Sequence, residues 1–280
     1  MTSQWLPETT PPREQSRYRA FETSNFVQYP LRMNEVSLSV VSHRQGGMVN
    51  DLLGDLSCHS PDNDVHVTCN VPEKDSIHGA GLLTFRRFDN ASAKGFGANH
   101  NAAFRHCDSP FFCVANPDVR LVSDPFPELL ACMDDPKVGL VAPRVIDPAG
   151  NAEDSARYFP TPANLAAKML HLDEGRFPVV GEAPMAVDWV AGMFMLFRAE
   201  AFRDIGGFDE DFFLYYEDVD ICARLWKAGW KVMLHPGVSV IHAAQRSSRR
   251  NPRYMAWHLS SMARYFVKHL GRLPRITQES

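Results

Sequence analysis

Between Gly206 and Trp230 the chain gathers Asp209, Glu210, Asp211, Glu217, Asp218 and Asp220 among large aromatic residues. The Gly206-Gly207 pair breaks any preceding helix, and an apolar period resumes near Glu217. Asp218, Ile221, Cys222 and Leu225 then fall at i, i+3, i+4 and i+7, one face of a helix. Asp218 heads a stripe that is otherwise apolar. A carboxylate turned into an aromatic-lined place needs a proton, a metal or a polar partner, and this makes Asp218 a candidate general base with Glu217 beside it. Asp220 and Arg224, four apart, read as a surface ion pair.

A second group with chemical potential ends the apolar run Phe111–Ala115. Asn116-Pro117-Asp118 stops the strand, and both polar side chains fall at the same edge of the sheet. Oxygen ligands at a strand end suit Mg²⁺ or Mn²⁺ sharing its coordination with a diphosphate, although the triplet taken alone reads better as an Asx turn closing a loop. Gly95 and Gly97 precede Asn99 and Asn101 where a helix should begin, an arrangement that lets backbone N–H groups approach a phosphate or sugar. Neither the dinucleotide fingerprint nor a P-loop is present. Asp188-Trp189 opens a strand reaching Phe197, and Gly192 within it implies close approach by a backbone or ligand.

The elements that must position these residues form an α/β pattern. Val36–Ser42 reads as a buried strand, followed by a loop and a helix over Met48–Leu56 with Val49, Leu52, Leu53 and Leu56 on one face. Val65–Cys69 and Leu82–Phe85 read as strands, Asp124–Met133 as a helix and Val138–Val141 as a short strand. Arg144–Pro184 reads as loop-rich, with one helical piece near Asn164–Leu172. Lys231–Leu234 and Val238–His242 read as two short strands separated by His235-Pro236-Gly237. This rhythm predicts an open, mostly parallel sheet with ligands beyond the carboxyl ends of its strands. Residues 1–34 are polar and Pro/Thr-rich and read as an arm, 35–245 as the main domain, and 246–280 as a basic segment and an amphipathic helix. That helix, Tyr254 to about Leu270, carries Met255, Leu259, Met262, Phe266 and Val267 as the stripe expected to pack on the core. The basic stretch Gln245–Arg253 is a candidate contact for phosphates or lipid head groups.

At 280 residues and a net charge of −4, the chain can bury a sizeable core and lacks the basic balance of a nucleic-acid binder. Six scattered cysteines without a C-x-x-C pair fit reduced thiols and a cytoplasmic setting. No apolar run is long enough to span a membrane, and the first residues lack the core of a secretion signal.

GFGANHNAAF, the strand ending in NPD, DWVAGMFMLFR, IGGFDEDFFLYYEDVDICAR and the later VIH together resemble a family 2 glycosyltransferase of GT-A fold. Among its members the pattern is most similar to bacterial rhamnosyltransferases of cell-surface polysaccharide assembly. The resemblance implies an inverting, metal-dependent transfer of a sugar, a deoxyhexose such as L-rhamnose, from a nucleotide diphosphate, with dTDP favoured. The acceptor would be a saccharide or a lipid-linked saccharide, reached in the cytoplasm or at the inner face of the membrane. It implies Asp218 as base beside Glu217, Asp118 and His242 as metal ligands, and Trp189 and Gly192 as shapers of the acceptor pocket. Ser42, Asn70, Gly95, Gly97, Asn101 and Asn116 would lie against the donor. Cys69-Asn70-Val71-Pro72 replaces the family's frequent Asp-Asn-x-Ser, and Ser42-His43-Arg44 its usual Thr-Tyr-Asn. A GT-A-like binding protein that has lost its chemistry, or a nucleotidyltransferase, are the alternatives.

Overall fold

The computed structural model describes residues 35–274 except 74–76, 80, 82, 154, 171, 173–174, 176 and 243–251. The N-terminal arm and most of the basic stretch at 245–253 therefore lie outside the described residues. Strands are β1 (Val36–Ser42), β2 (Asp64–Cys69), β3 (Phe85–Asp89), β4 (Phe111–Ala115), β5 (Val119–Arg120), β6 (Val138–Ile146), β7 (Ala156–Arg157), β8 (Met185–Ala186), β9 (Trp189–Val190), β10 (Phe194–Arg198) and β11 (Lys231–His242). Helices are α1 (Gly46–His59), α2 (Phe96–Phe104), α3 (Phe126–Cys132), α4 (Pro162–Met169), α5 (Ala199–Asp204), α6 (Glu217–Lys227) and α7 (Pro252–His269).

The main sheet runs β3-β2-β1-β4-β10-β6-β11-β5, with β8 beside β11 and a separate β7-β9 pair. β3, β2, β1 and β4 are mutually parallel, β10 is antiparallel to both β4 and β6, and β6 is parallel to β11. Alternation along β4 feeds two cores: Cys113 and Ala115 join Val49, Leu52, Leu53 and Leu56 of α1 on one face. Phe112 and Val114 join Phe202 of α5 and Ile221, Cys222 and Leu225 of α6 on the other. A strand covered on both faces must be apolar along its whole length, the reason Phe111–Ala115 was legible as central.

Four readings of the elements are corrected. The third strand is Phe85–Asp89, not Leu82–Phe85, and residue 82 is not described. β6 continues past Val141 to Ile146 despite Pro143, because Pro143 lies opposite His235 where β11 shifts register. That same irregularity lets β11 run unbroken through His235-Pro236-Gly237, so a turn signal marks a bulge here. The apolar run after Asp188 is interrupted, with Ala191–Met193 forming a turn between β9 and β10.

A fifth correction concerns α7. It packs through Ser261, Tyr265 and His269 at i, i+4 and i+8, whereas Met255, Leu259 and Val267 of the expected stripe are exposed. The reason is Asp220, which is fully buried and not a surface partner of Arg224. It accepts hydrogen bonds from Arg224 Nε and His269 Nε2, each at 2.7 Å, and lies 2.7 Å from Lys268 Nζ. Burial opposes its charge, but the bonds from His269, Lys268 and Arg224 and the charge of Arg224 outweigh it, holding the carboxyl at about 2.

Candidate active site

Two consecutive residues with positive φ, Tyr215 (70°) and Tyr216 (66°), turn the chain sharply into α6. Non-glycine residues in this region cost of order 1–3 kcal/mol each and persist only where their surroundings hold them. Here they deliver Glu217 and Asp218 in the first turn of the helix. Asp218 Oδ2 accepts from the Gly192 N–H at 3.1 Å, and its Oδ1 from the Val219 N–H at 2.9 Å. Burial raises the Asp218 pKa, and these backbone donors pull against that rise. Glu217 is buried, and its Oε2 has no hydrogen-bond partner. Burial and then the charge of Asp218 push its pKa well above the ordinary carboxylate value. Burial pushes both acids toward the neutral form, and the Gly192 and Val219 N–H donors favour ionisation at Asp218.

The turn carrying Gly192 links this pair to the strand end expected to hold the metal. The Asn116 N–H donates to the Met193 carbonyl at 2.9 Å, one residue from the Gly192 N–H that holds Asp218. A Cβ on Gly192 would stand 3.6 Å from the Asp218 Cβ, an ordinary contact. The close approach expected at Gly192 is thus its own N–H to the carboxylate.

Beyond Asn116, Asp118 Oδ2 lies 3.3 Å from His242 Nε2, and the opposite ring nitrogen, Nδ1, is 2.8 Å from Glu153 Oε2. Pairing of β5 with β11 brings Val119 opposite His242 and so creates this junction. Burial disfavours charge on the His242 ring, but the bonds to Asp118 and Glu153 outweigh it and raise its pKa. Asp118 Oδ1 is buried without a partner, an orphaned oxygen that a divalent cation would satisfy. Among the described residues no three side chains converge as a ready-made cage. One carboxylate and one imidazole, oriented from behind by Glu153, fit a Mg²⁺ or Mn²⁺ whose remaining ligands come from substrate oxygens and water.

Most residues expected against the donor also make contacts within the protein itself. A Cβ on Gly95 would lie 2.7 Å from the Phe213 carbonyl oxygen, and one on Gly97 would lie 2.5 Å from the Phe208 Cβ. The glycines admit the 208–213 segment. Asn101 clamps the Phe208 backbone, donating to its carbonyl at 2.8 Å and accepting from its N–H at 2.9 Å. Asn70 donates to the Lys94 carbonyl at 2.9 Å and accepts from the Lys94 N–H at 2.8 Å and from Asn90 at 3.0 Å. Ser42 is buried and its Oγ accepts from the Gln45 N–H at 3.1 Å. Of the four with polar side chains, Ser42, Asn70, Asn101 and Asn116, only Asn116 makes no side-chain hydrogen bond among the described residues.

On the other side of the acid pair lies a cavity of about 260 Å³, lined by Trp189, Tyr158, Tyr215 and Tyr216, with Glu217 and Asp218 in its wall. The Trp189 indole N–H donates to the Tyr158 carbonyl at 3.0 Å, which fixes the ring in that wall. Lys168 of α4 and His258 of α7 complete the lining. The sequence reading did not single out Glu153, Lys168 or His258, because each reaches the site from a segment without local motif.

A family model described as glycosyl transferase family group 2 matches residues 117–267. The chain is 29% identical over 252 residues to rhamnosyltransferase WbbL of Escherichia coli K12, covering 83% of this chain and 93% of that protein. It is 34% identical over 166 residues to the N-acetylglucosaminyl-diphospho-decaprenol L-rhamnosyltransferase of Mycobacterium tuberculosis, covering 53% of this chain and 50% of that one. Among solved structures, GalNAc-T7 with UDP, GalNAc and Mn²⁺ superposes with a TM-score of 0.65 at 14% identity, covering 85% of this chain and 48% of that chain. The mannosyltransferase PcManGT of Pyrobaculum calidifontis, with GDP-Man and Mn²⁺, gives 0.56 at 15% identity over 84% of this chain and 65% of its own. The span of the family model takes in the strand-end Asp118, the acid pair and His242, and the fold is that of GT-A glycosyltransferases. The chain belongs to glycosyl transferase family group 2.

Proposed function

We propose that this glycosyltransferase moves a deoxyhexose such as L-rhamnose from a dTDP-linked donor to a saccharide or lipid-linked acceptor, with inversion at the anomeric carbon. The two relatives named as rhamnosyltransferases support the sugar, and the mycobacterial one names a diphospho-decaprenol acceptor. The observation that carries the chemistry is the Gly192 N–H bond to Asp218 at 3.1 Å, on the same turn that anchors Asn116 through Met193.

Asp218 takes the proton of the acceptor hydroxyl as that oxygen bonds to the anomeric carbon. The bond from that carbon to the donor phosphate oxygen breaks, and its electron pair leaves with the nucleoside diphosphate. Glu217, neutral beside it, adds no second negative charge to repel the one on Asp218. Asp118 and His242 would hold a divalent cation, which supplies Lewis-acid stabilisation to the leaving diphosphate when bound. Asn116, at the same strand end, would orient the donor. We assign catalysis to residues 35–245 and peripheral membrane contact to the C-terminal segment. Among the described residues no helix is long and apolar enough to cross a membrane.

A panel of nucleoside diphosphates tested by thermal shift, with and without Mn²⁺, checks the donor side. The expected result is a Mn²⁺-dependent rise in Tm with dTDP that Asp118→Ala abolishes. A rise with UDP or GDP alone would reassign the donor.

A further inference from the structure

Three basic side chains for which the transfer chemistry has no use line the cavity beside the acid pair, Arg157, Lys168 and His258, and the last two stand on separate helices. Lys168 projects from α4 and His258 from α7, and both line the space that Trp189, Tyr216 and Asp218 enclose. Lys168 makes no ion pair or hydrogen bond among the described residues. His258 contacts the Tyr215 and Tyr216 rings edge-on at 5.3 and 5.5 Å, and its ring nitrogens make no hydrogen bond among the described residues. Burial and then the charge of Lys168 hold the His258 pKa below its ordinary value. Two neighbouring basic groups on separate helices, facing an aromatic cavity, form a receptor for an anionic group. The same two segments expose apolar side chains near Lys168 and His258 in sequence: Leu170 and Leu172 follow α4, and Met255 and Leu259 lie on α7. An acceptor that pairs an anion with an aliphatic chain matches both features.

We infer that Lys168 and His258 clasp the phosphate of a lipid-linked saccharide acceptor while its sugar sits over Trp189 with a hydroxyl toward Asp218. The inference rests on the glycosyltransfer proposed above and adds the residues that select the acceptor. Lys168 and His258 are positioning residues, since neither moves the transferred proton.

The test is titration calorimetry in EDTA, where no divalent cation can recruit an anion to Asp118 and His242. One probe is a saccharide joined through diphosphate to a short alkyl chain, and the other is the same saccharide as a neutral alkyl glycoside. Lys168→Ala should weaken the diphosphate probe about tenfold or more and leave the neutral one unchanged, with Lys168→Arg restoring most of the affinity. His258→Ala should weaken the same probe to a lesser degree. In turnover with the diphosphate acceptor, Lys168→Ala should raise KM and leave kcat in place. Equal loss for both probes would mark Lys168 as merely structural, and no loss for either would remove it from the site. Binding of the saccharide 1-phosphate as tightly as the alkyl diphosphate would overturn the lipid part. Separate failure of the glycosyltransfer reading would show as absent turnover with the diphosphate acceptor while the difference between probes in EDTA persists.

Discussion

At the scale of single residues, Glu217 and Asp218 are adjacent acids with opposite tasks, and the assignment is testable by exchange. Asp218→Asn removes the proton acceptor and should lower turnover by ~10²–10⁴-fold with little change in donor affinity. Glu217→Gln keeps a neutral side chain where a neutral acid already stands, so turnover should fall by less than about tenfold. Its stability should depend on pH in a defined sense. The native state keeps Glu217 protonated above its ordinary value of 4.5, whereas the unfolded chain ionises there. The wild type thus loses stability as pH rises through that value, and the glutamine variant does not. The Tm of Glu217→Gln relative to wild type should increase steadily from about pH 4.5 upward, and a flat difference would mean that Glu217 is ionised in the fold. The acid pair was legible because Asp218 leads an apolar helical stripe. Glu153 was not, since its role arises only where β5 meets β11 and brings His242 to Asp118.

Element by element, α6 works in two directions from its first turn. Asp218 looks into the cavity, while Asp220, two residues on and so on the opposite side, fastens α7. Asp220→Asn leaves Arg224, Lys268 and His269 without their common anion and should destabilise the fold by about 3 kcal/mol in denaturant titration. Because its folded pKa is depressed to about 2, Asp220 contributes stability above the ordinary value of 3.8 that is lost as pH falls toward 2. The acid-unfolding transition of Asp220→Asn should therefore be shallower than that of wild type. Gly97→Ala separates packing from ligand contact in α2: the added methyl meets the Phe208 Cβ and should cost about 1–3 kcal/mol. Donor affinity measured below the melting range should be unchanged, and a selective loss of donor binding would support the role expected from sequence. Local sequence revealed the glycines but not what approaches them, because Phe208 and Phe213 lie more than a hundred residues away. The same limit explains Asp220 and the apolar stripe of α7. Spacing defines a helix face, and only tertiary packing decides which face is covered.

For the whole molecule, one sheet joins two half-sites at its carboxyl ends. The parallel strands β1, β2 and β4 and the end of β11 form the side we propose for donor and metal, and β9 with α4, α6 and α7 encloses the cavity we propose for the acceptor. The turn at 191–193 is their only described backbone bridge between Asn116 and Asp218. The α/β pattern and the order of motifs carried the GT-A fold through the sequence, since strand and helix periods are local. Long-range closure was not local, and β11 pairing with β6, β5 and β8 had to be seen. The central claim is that Asp218, held by Gly192, is the base of an inverting sugar transfer. The most direct measurement is transfer from dTDP-L-rhamnose in Mn²⁺ by wild type, Asp218→Asn and Glu217→Gln, with the product anomer read by NMR. The account predicts an inverted product, activity retained within about tenfold in Glu217→Gln, and loss of ~10²-fold or more in Asp218→Asn with dTDP binding intact. Near wild-type turnover by Asp218→Asn, or a retained anomer, would contradict it.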